Sequence, residues 1–198
     1  MTRHLPEQAR REQILSAARR CFIESGYHPT RMDDIARAAG LSKGGVYFHF
    51  KSKQEVFESL VDEEFQASMR FLEEVTSGSA LVAEKMQNIA AHYMEYFNAA
   101  PDAPRFFIVM GEMALRDEAL ASKLLEMQTA FIVQVSKLID QGVAEGMLRA
   151  TDSRTVAALL KALLDGVEGL KALGYTLDGA QLVAGGMDLV INGLLNRP

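Results

Sequence analysis

Apolar residues recur along this chain three and four positions apart almost throughout, and no pair of segments shows the strict alternation of half-buried strands. Ile14, Ala17, Ala18, Cys21 and Phe22 keep helical spacing and predict a first helix over 7–25. Gly26 is placed to end it. The sequence YHPT reads as a loop. Thr30 followed by Asp33 has the form of a capping box and opens a short helix over 31–39, which Gly40 breaks. Ser42 caps a helix over 43–49. Ser52 and Glu55 repeat the S-x-x-E pattern and open a long helix over 53–75. The small-residue stretch TSGSA at 76–80 interrupts the pattern. Further helices are predicted over 81–98, 103–115, 117–144, 152–173 and 178–195. The expectation is an all-α fold without internal repeats.

Within this pattern the segment LSKGGVYFHFKSK, Leu41 to Lys53, is anomalous. It sets two glycines at the start of a helix, where each costs about 1 kcal/mol relative to alanine. Helix, glycine-containing turn and second helix over 31–49 outline a helix-turn-helix, a unit whose second helix enters the DNA major groove. Ile35, Ala36, Ala39, Leu41, Val46 and Phe50 can form its small core. That leaves Lys43, Gly44, Gly45, Tyr47 and His49 facing outward. Gly44 and Gly45 would let the helix lie close against DNA. Lys43 can donate to guanine acceptors, and Tyr47 and His49 can meet phosphates or thymine methyls. A cation at the start of the next helix opposes the helix dipole, and Lys53 makes sense there if a phosphate is bound. Thr30 suits an N-cap, a role compatible with phosphate contact at the same helix end.

Charge supports this division. Residues 1–53 carry ten Lys/Arg and five acids, a net +5, whereas the rest of the chain nets −10. A basic head that docks on a polyanion and an acidic body that one would repel are expected. The 198 residues, 48% hydrophobic, suffice for a sizeable core. The polar start lacks the apolar run of a signal peptide and no stretch is long enough to span a membrane, so the expected location is cytoplasmic. A single cysteine, Cys21, leaves no internal disulfide or cysteine-based zinc site and reads as a buried thiol.

The segment TRMDDIARAAGLSKGGVYFHFKSKQEVF resembles the DNA-binding region of the TetR (tetracycline-repressor-like) family of bacterial regulators. The resemblance rests on Thr30, Ile35, Ala36, Ala39, Gly40, Leu41, Ser42, Gly44, Val46, Tyr47, His49, Phe50 and Lys53. It covers about residues 10–60. Position 31, often Thr or Ser in the family, is Arg31 here, which can add a phosphate or base contact. The resemblance implies an all-helical homodimer with a three-helix DNA-binding domain at 1–53, a connecting helix at 54–75, and a ligand-binding and dimerisation domain at 76–198. The implied DNA-contacting set is Thr30, Arg31, Ser42, Lys43, Gly44, Gly45, Tyr47, His49 and Lys53.

Catalysis finds little support. His92 and Glu95 form half of a carboxylate-bridged metal motif, which needs a second pair and two further carboxylates. No phosphate-cradling loop, nucleophile elbow or zinc motif occurs. No enzyme activity, metal or cofactor is expected. A Met and aromatic stripe over successive helices serves as core or as the wall of a cavity; Tyr93, Phe97, Phe107, Met110, Met113 and Phe131 are the candidate lining, with Glu168 a candidate polar contact. Small residues four apart at Ala158, Ala162 and Gly166, flanked by Leu159, Leu163 and Leu170, join Gly186 and Gly193 as the candidate dimer face, the alternative use of these stripes being the monomer's own core. The expected partners are a pseudo-palindromic DNA operator, a small-molecule effector and a second copy of the chain. In the expected mechanism, a ligand in the body tilts the helix at 53–75 and shifts the two reading helices. The rival reading replaces the small molecule by a partner protein.

Overall fold

The computed structural model describes residues 6–99, 102–176 and, beyond those, residues 178, 181, 182, 185, 186, 188, 189 and 193. Its elements are the helices α1 (Glu7–Ser25), α2 (Met32–Ala38), α3 (Lys43–His49), α4 (Lys53–Ser77), α5 (Val82–Ala99), α6 (Ala103–Ala114), α7 (Glu118–Ala144) and α8 (Ser153–Ala172). Every end lies within two residues of the boundary that periodicity predicts. The predicted helix over 178–195 falls largely outside the described residues, which are helical at 181, 182, 185, 186, 188, 189 and 193. The fold is all-α.

Two of the helix ends depend on glycine at a positive φ. Gly26 (φ 82°) stops α1 while its N–H still donates to the Phe22 carbonyl at 2.9 Å. Gly40 (φ 66°) turns the chain after α2, so that the Leu41 N–H returns to the Ala36 carbonyl at 2.9 Å. A side chain in this backbone region costs about 1–2 kcal/mol. The capping box of α2 lies one residue later than the sequence suggests. The Asp34 carboxylate accepts from the Arg31 N–H at 3.0 Å, whereas Thr30 is buried and its hydroxyl donates to the Gly26 carbonyl at 2.7 Å. Thr30 therefore ties the loop back to the end of α1. At α4 the Ser52 hydroxyl accepts from the Glu55 N–H as expected, and the Glu55 carboxylate reaches one residue further back, to the Lys51 N–H at 2.6 Å.

Packing divides the chain into two compact units, one of Met1–Gln66 with Phe106–Ala121, the other of Ala67–Arg105 with Ser122–Pro198. The division cuts within α4, because its first turns pack under α1 while its last turns belong to another core. In the first unit Phe22, Tyr27, Phe57 and Phe106 form a chain of edge-on and tilted rings with centroids 4.9–5.8 Å apart. Arg19 lies 4.6 Å over the Phe106 ring and pairs with Glu64. Cys21 is half-buried, not fully buried as its place on the α1 stripe suggests; burial and then the Glu24 carboxylate raise its thiol pKa.

The second unit is built on Leu72, Phe131, Val135, Ile139, Leu148 and Ala157. Its one buried ammonium, among the described residues, is that of Lys85, which donates to the Thr76 carbonyl and to Gln141 Oε1, both at 3.0 Å. Lys85 thus ties the last turn of α4 to α7. Close packing there requires a glycine. A Cβ on Gly142 would stand 2.7 Å from Leu148 Cδ1 and 3.2 Å from Val82 Cγ1, and both neighbours are buried. Gly142→Ala is expected to lower stability by about 1–3 kcal/mol through overpacking. In a thermal melt this corresponds to a fall of roughly 2–12 °C for a chain of this length. An unchanged melting temperature would mean that Leu148 can move aside.

Candidate nucleic-acid interface and apolar cavity

The helix-turn-helix is held from outside by side chains that take its carbonyl groups. From α1, Gln13 donates to the Ala39 carbonyl at 2.7 Å, at the end of α2. Arg11 donates to the His49 carbonyl at 2.9 Å, at the end of α3, and its guanidinium lies 4.2 Å over the Phe50 ring. From α4, the Lys53 ammonium donates to the carbonyls of Tyr27, His28 and Thr30 at 2.6, 3.0 and 2.8 Å. It also lies 4.3 Å over the Tyr27 ring. An ammonium has three N–H donors, so these carbonyls use all of them. Burial lowers its pKa. The structure gives Lys53 a different task from the phosphate contact read from the sequence: it fixes the loop that leads into α2.

The remaining candidates separate by exposure. Arg31, Ser42, Lys43, Gly44 and Tyr47 are exposed, Gly45 and His49 are half-buried, and Thr30 is buried. Lys43 pairs with Asp33 at 2.8 Å, both side chains more than half exposed. Such a pair is worth little in water, so the ammonium is available to a stronger acceptor. The hydrogen bond from Lys43 to Asp33, and then the carboxylate's charge, raise the lysine pKa. The two glycines have different reasons. Ser42 Oγ accepts from the Gly45 N–H at 3.1 Å, and a Cβ on Gly45 would press within 3.3 Å of that same oxygen. Gly45 protects the cap. A Cβ on Gly44 would meet nothing within 4 Å, so nothing in this chain requires glycine there. Phe48, absent from the sequence-derived set, stands 74% exposed one turn beyond Gly44. Periodicity could have found it. Val46 and Phe50 are buried one turn apart, and position 48 falls on the opposite face.

The second unit holds a cavity of about 410 Å³. Met86 and Tyr93 of α5, Phe131 and Val135 of α7, and Leu160 and Leu164 of α8 are among its walls, and among the described residues no charged side chain lines it. Tyr93 is the wall residue, among the described residues, that carries a polar side-chain group, and its phenol hydrogen-bonds with Ser68; burial raises its pKa, and the nearby Glu168 carboxylate adds to the shift. Of the residues picked from the sequence, Tyr93 and Phe131 line this cavity. Phe107, Met110 and Met113 belong to the other unit, where Met110 and Met113 are buried. Glu168 is buried on α8 without forming the wall, and the Phe97 side chain lies outside the described residues. The aliphatic walls from α7 and α8 escaped the sequence because their spacing is that of any core. On α8, Leu159, Leu163 and Leu170 are exposed, as are Ala158, Ala162 and Gly166. Gly186 is half-buried and Gly193 exposed.

Residues 14–60 match the family described as bacterial regulatory proteins, tetR family. The chain is 30% identical over 190 residues to the HTH-type transcriptional repressor Rv1474c of Mycobacterium tuberculosis, covering 94% of this chain and 93% of that one. Its fold is similar to that of a transcriptional regulator from Saccharomonospora viridis solved with choline, at 19% identity and a TM-score of 0.82, covering 96% of this chain and all of the other. It is also similar to FadR of Bacillus subtilis solved with stearoyl-CoA, at 21% identity and a TM-score of 0.76, covering 92% and 98%.

Two substitutions test the roles assigned here. Lys53→Met removes three charge-assisted bonds and should cost about 2 kcal/mol. DNA affinity should then fall while the slope of log affinity against log salt stays as in wild type, because no phosphate contact is lost. A slope flatter by about one unit would restore Lys53 as a phosphate ligand. Gly44→Ala should raise the melting temperature, since helix propensity improves by up to about 1 kcal/mol and no atom stands in the way. The same substitution should weaken DNA binding; tighter or equal binding would remove the close-approach role.

Proposed function

This chain belongs to the tetR family of bacterial regulatory proteins, and we propose that it is a transcriptional repressor released from its operator by a mainly apolar small molecule. The apolar cavity carries the second half of this reading. A cavity of about 410 Å³ with almost wholly hydrocarbon walls is costly to leave unfilled and suits a ligand that brings a chain or ring system with few polar groups. The Tyr93 phenol offers one orienting contact. The two structural neighbours solved with choline and with stearoyl-CoA carry very different ligands, so the similarity of fold supports a ligand site without specifying its occupant.

The chain acts, in this proposal, as a homodimer. One reading helix of seven residues contacts too few base pairs for useful specificity, and a two-fold pair reads two half-sites about one helical turn apart. The exposed row of Leu159, Leu163 and Leu170 on α8 is the proposed contact. A Cβ on Gly166, Gly186 or Gly193 would meet nothing within 4 Å among the described residues, which suits close approach of a second copy. Thr30 and Lys53 set the reading helix, while Arg31, Ser42, Lys43, Gly44 and Tyr47 face the operator.

Occupation of the cavity changes operator affinity only through a difference in ligand affinity between the free and DNA-bound states. The operator therefore weakens the ligand by the same factor that the ligand weakens the operator, typically 5- to 150-fold. Phe131 is the wall residue to vary. Phe131→Ala should reduce ligand-dependent release at least tenfold and leave operator affinity without ligand within about twofold, measured by fluorescence anisotropy on a selected operator duplex. Stabilisation by no compound in a thermal-shift screen of apolar molecules would favour control by a partner protein. Sedimentation at micromolar concentration should give twice the monomer mass, and a monomer would remove the α8 interface.

A further inference from the structure

We propose that Phe48 reads a thymine methyl group in each operator half-site. The inference rests on the assignment of α3 as the reading helix. The Phe48 ring is 74% exposed, the largest exposure of any aromatic residue among the described residues. Its one ring neighbour among the described residues is His49, edge-on at 5.1 Å. Val46 and Phe50, on the opposite side of α3, are fully buried and fix the register of the helix, so Phe48 cannot rotate into the core. An exposed phenyl ring on a folded chain costs solubility and adds nothing to stability, and here it stands within residues 1–53, whose net charge of +5 is complementary to a polyanion.

The chemistry of the ring limits what it can recognise. Phenylalanine neither donates nor accepts a hydrogen bond, so it cannot read the amino, carbonyl or ring-nitrogen edges in the major groove. The apolar feature presented there is the C5 methyl of thymine. The phosphate is anionic and favours a polar side chain, and packing on the C–H surface of a deoxyribose would be indifferent to the thymine methyl. The approach is open. Gly44, one turn before Phe48 on the same face, has no side chain, and a Cβ there would meet no atom of this chain. Lys43 and Tyr47, the exposed pair one position earlier in each turn, are left for polar contacts at neighbouring base pairs. The helix thus presents an apolar row, Gly44 and Phe48, beside a polar row, Lys43 and Tyr47.

The test uses the full-length chain and duplexes selected from a random library. In a recovered operator each thymine is replaced in turn by deoxyuridine, which removes only the methyl group. For the wild type, one position per half-site should lose about fourfold in affinity, the worth of one buried methyl-sized group. Replacing both symmetry-related positions should lose roughly fifteenfold. Cytosine at that position should bind weakly, and 5-methylcytosine should recover part of the loss. Phe48→Ala should bind the thymine and deoxyuridine duplexes equally, and Phe48→Leu should keep part of the preference. Because the ring is exposed, both variants should melt within about 1 °C of wild type. Uniform indifference to deoxyuridine, or an undiminished preference in Phe48→Ala, would overturn the inference while leaving the regulator reading in place. Recovery of no duplex at all would overturn both. A shift of Phe48→Ala from dimer to monomer would also overturn it, by placing the ring in a contact between copies.

Discussion

The ammonium of Lys53 lies 2.6–3.0 Å from the carbonyl oxygens of Tyr27, His28 and Thr30, and the placement of α2 depends on that cluster. Three carbonyls in a four-residue loop would otherwise point their lone pairs at one another or at water. A single cation gathers them, and the Tyr27 ring stacked over the same ammonium closes the site. The loop then has one shape. Thr30, buried at its end, returns its hydroxyl to the Gly26 carbonyl, and α2 starts at a fixed point. Gln13 and Arg11 complete the same arrangement at the ends of α2 and α3. Side chains from α1 therefore satisfy carbonyls at the ends of the two short helices, and Lys53 of α4 satisfies those of the loop before α2. Helices of seven residues are too short to be stable alone, so this external support makes a rigid reading surface possible.

The other end of α4 repeats the device. Lys85 donates to the Thr76 carbonyl in the last turn of α4 and to Gln141 on α7. Its position is buried and its acceptors are neutral, so the charge is held by oriented dipoles and by the unsatisfied carbonyls at the helix C-terminus. Gln141 lies one turn beyond Leu138, which lines the cavity. A ligand that displaces α7 would thus act on a polar contact that breaks or holds, not on a smooth apolar surface. The other end of α4 carries Lys53 and hence the reading loop. The two lysines make α4 an element tied by hydrogen bonds within each unit.

Helix positions were legible in the sequence because they follow from local rules: spacing of apolar residues, Ser42 and Ser52 before the helices they cap, and glycine after α1 and α2. The family segment was legible for the same reason, since its caps, turn and buried positions are all local. What the sequence did not reveal depends on partners distant along the chain. Lys53 looked like a phosphate ligand because a cation at a helix start is locally unfavourable, and the carbonyls that compensate it lie 23 to 26 residues earlier. Thr30 looked like a cap because its hydroxyl could serve one, and the competing acceptor was the end of α1. Phe107, Met110 and Met113 shared the composition of Tyr93 and Phe131 but pack in a different unit, which spacing on a single helix cannot reveal. Phe48 was hidden by its type, since an apolar residue in a short helix reads as core until the register is fixed by its buried neighbours.

The cavity and the apolar row of α8 are not independent surfaces. Leu163 lines the cavity and is also 62% exposed on the outer row, and Gly186 belongs both to the wall and to the candidate dimer face. A second copy seated on that row would cover Leu163 and so complete the wall from outside. The ligand would then meet a site whose shape depends on assembly. Conversely, a ligand that pushes Leu163 outward changes the surface the second copy must match. Apolar contacts of this kind are worth about 25 cal/mol per Å², so a modest change in the area buried at Leu163 alters association measurably. The consequence is thermodynamic: affinity for the ligand should depend on protein concentration across the range where the dimer dissociates. A site built wholly inside one chain would show no such dependence, because its walls would be the same in monomer and dimer.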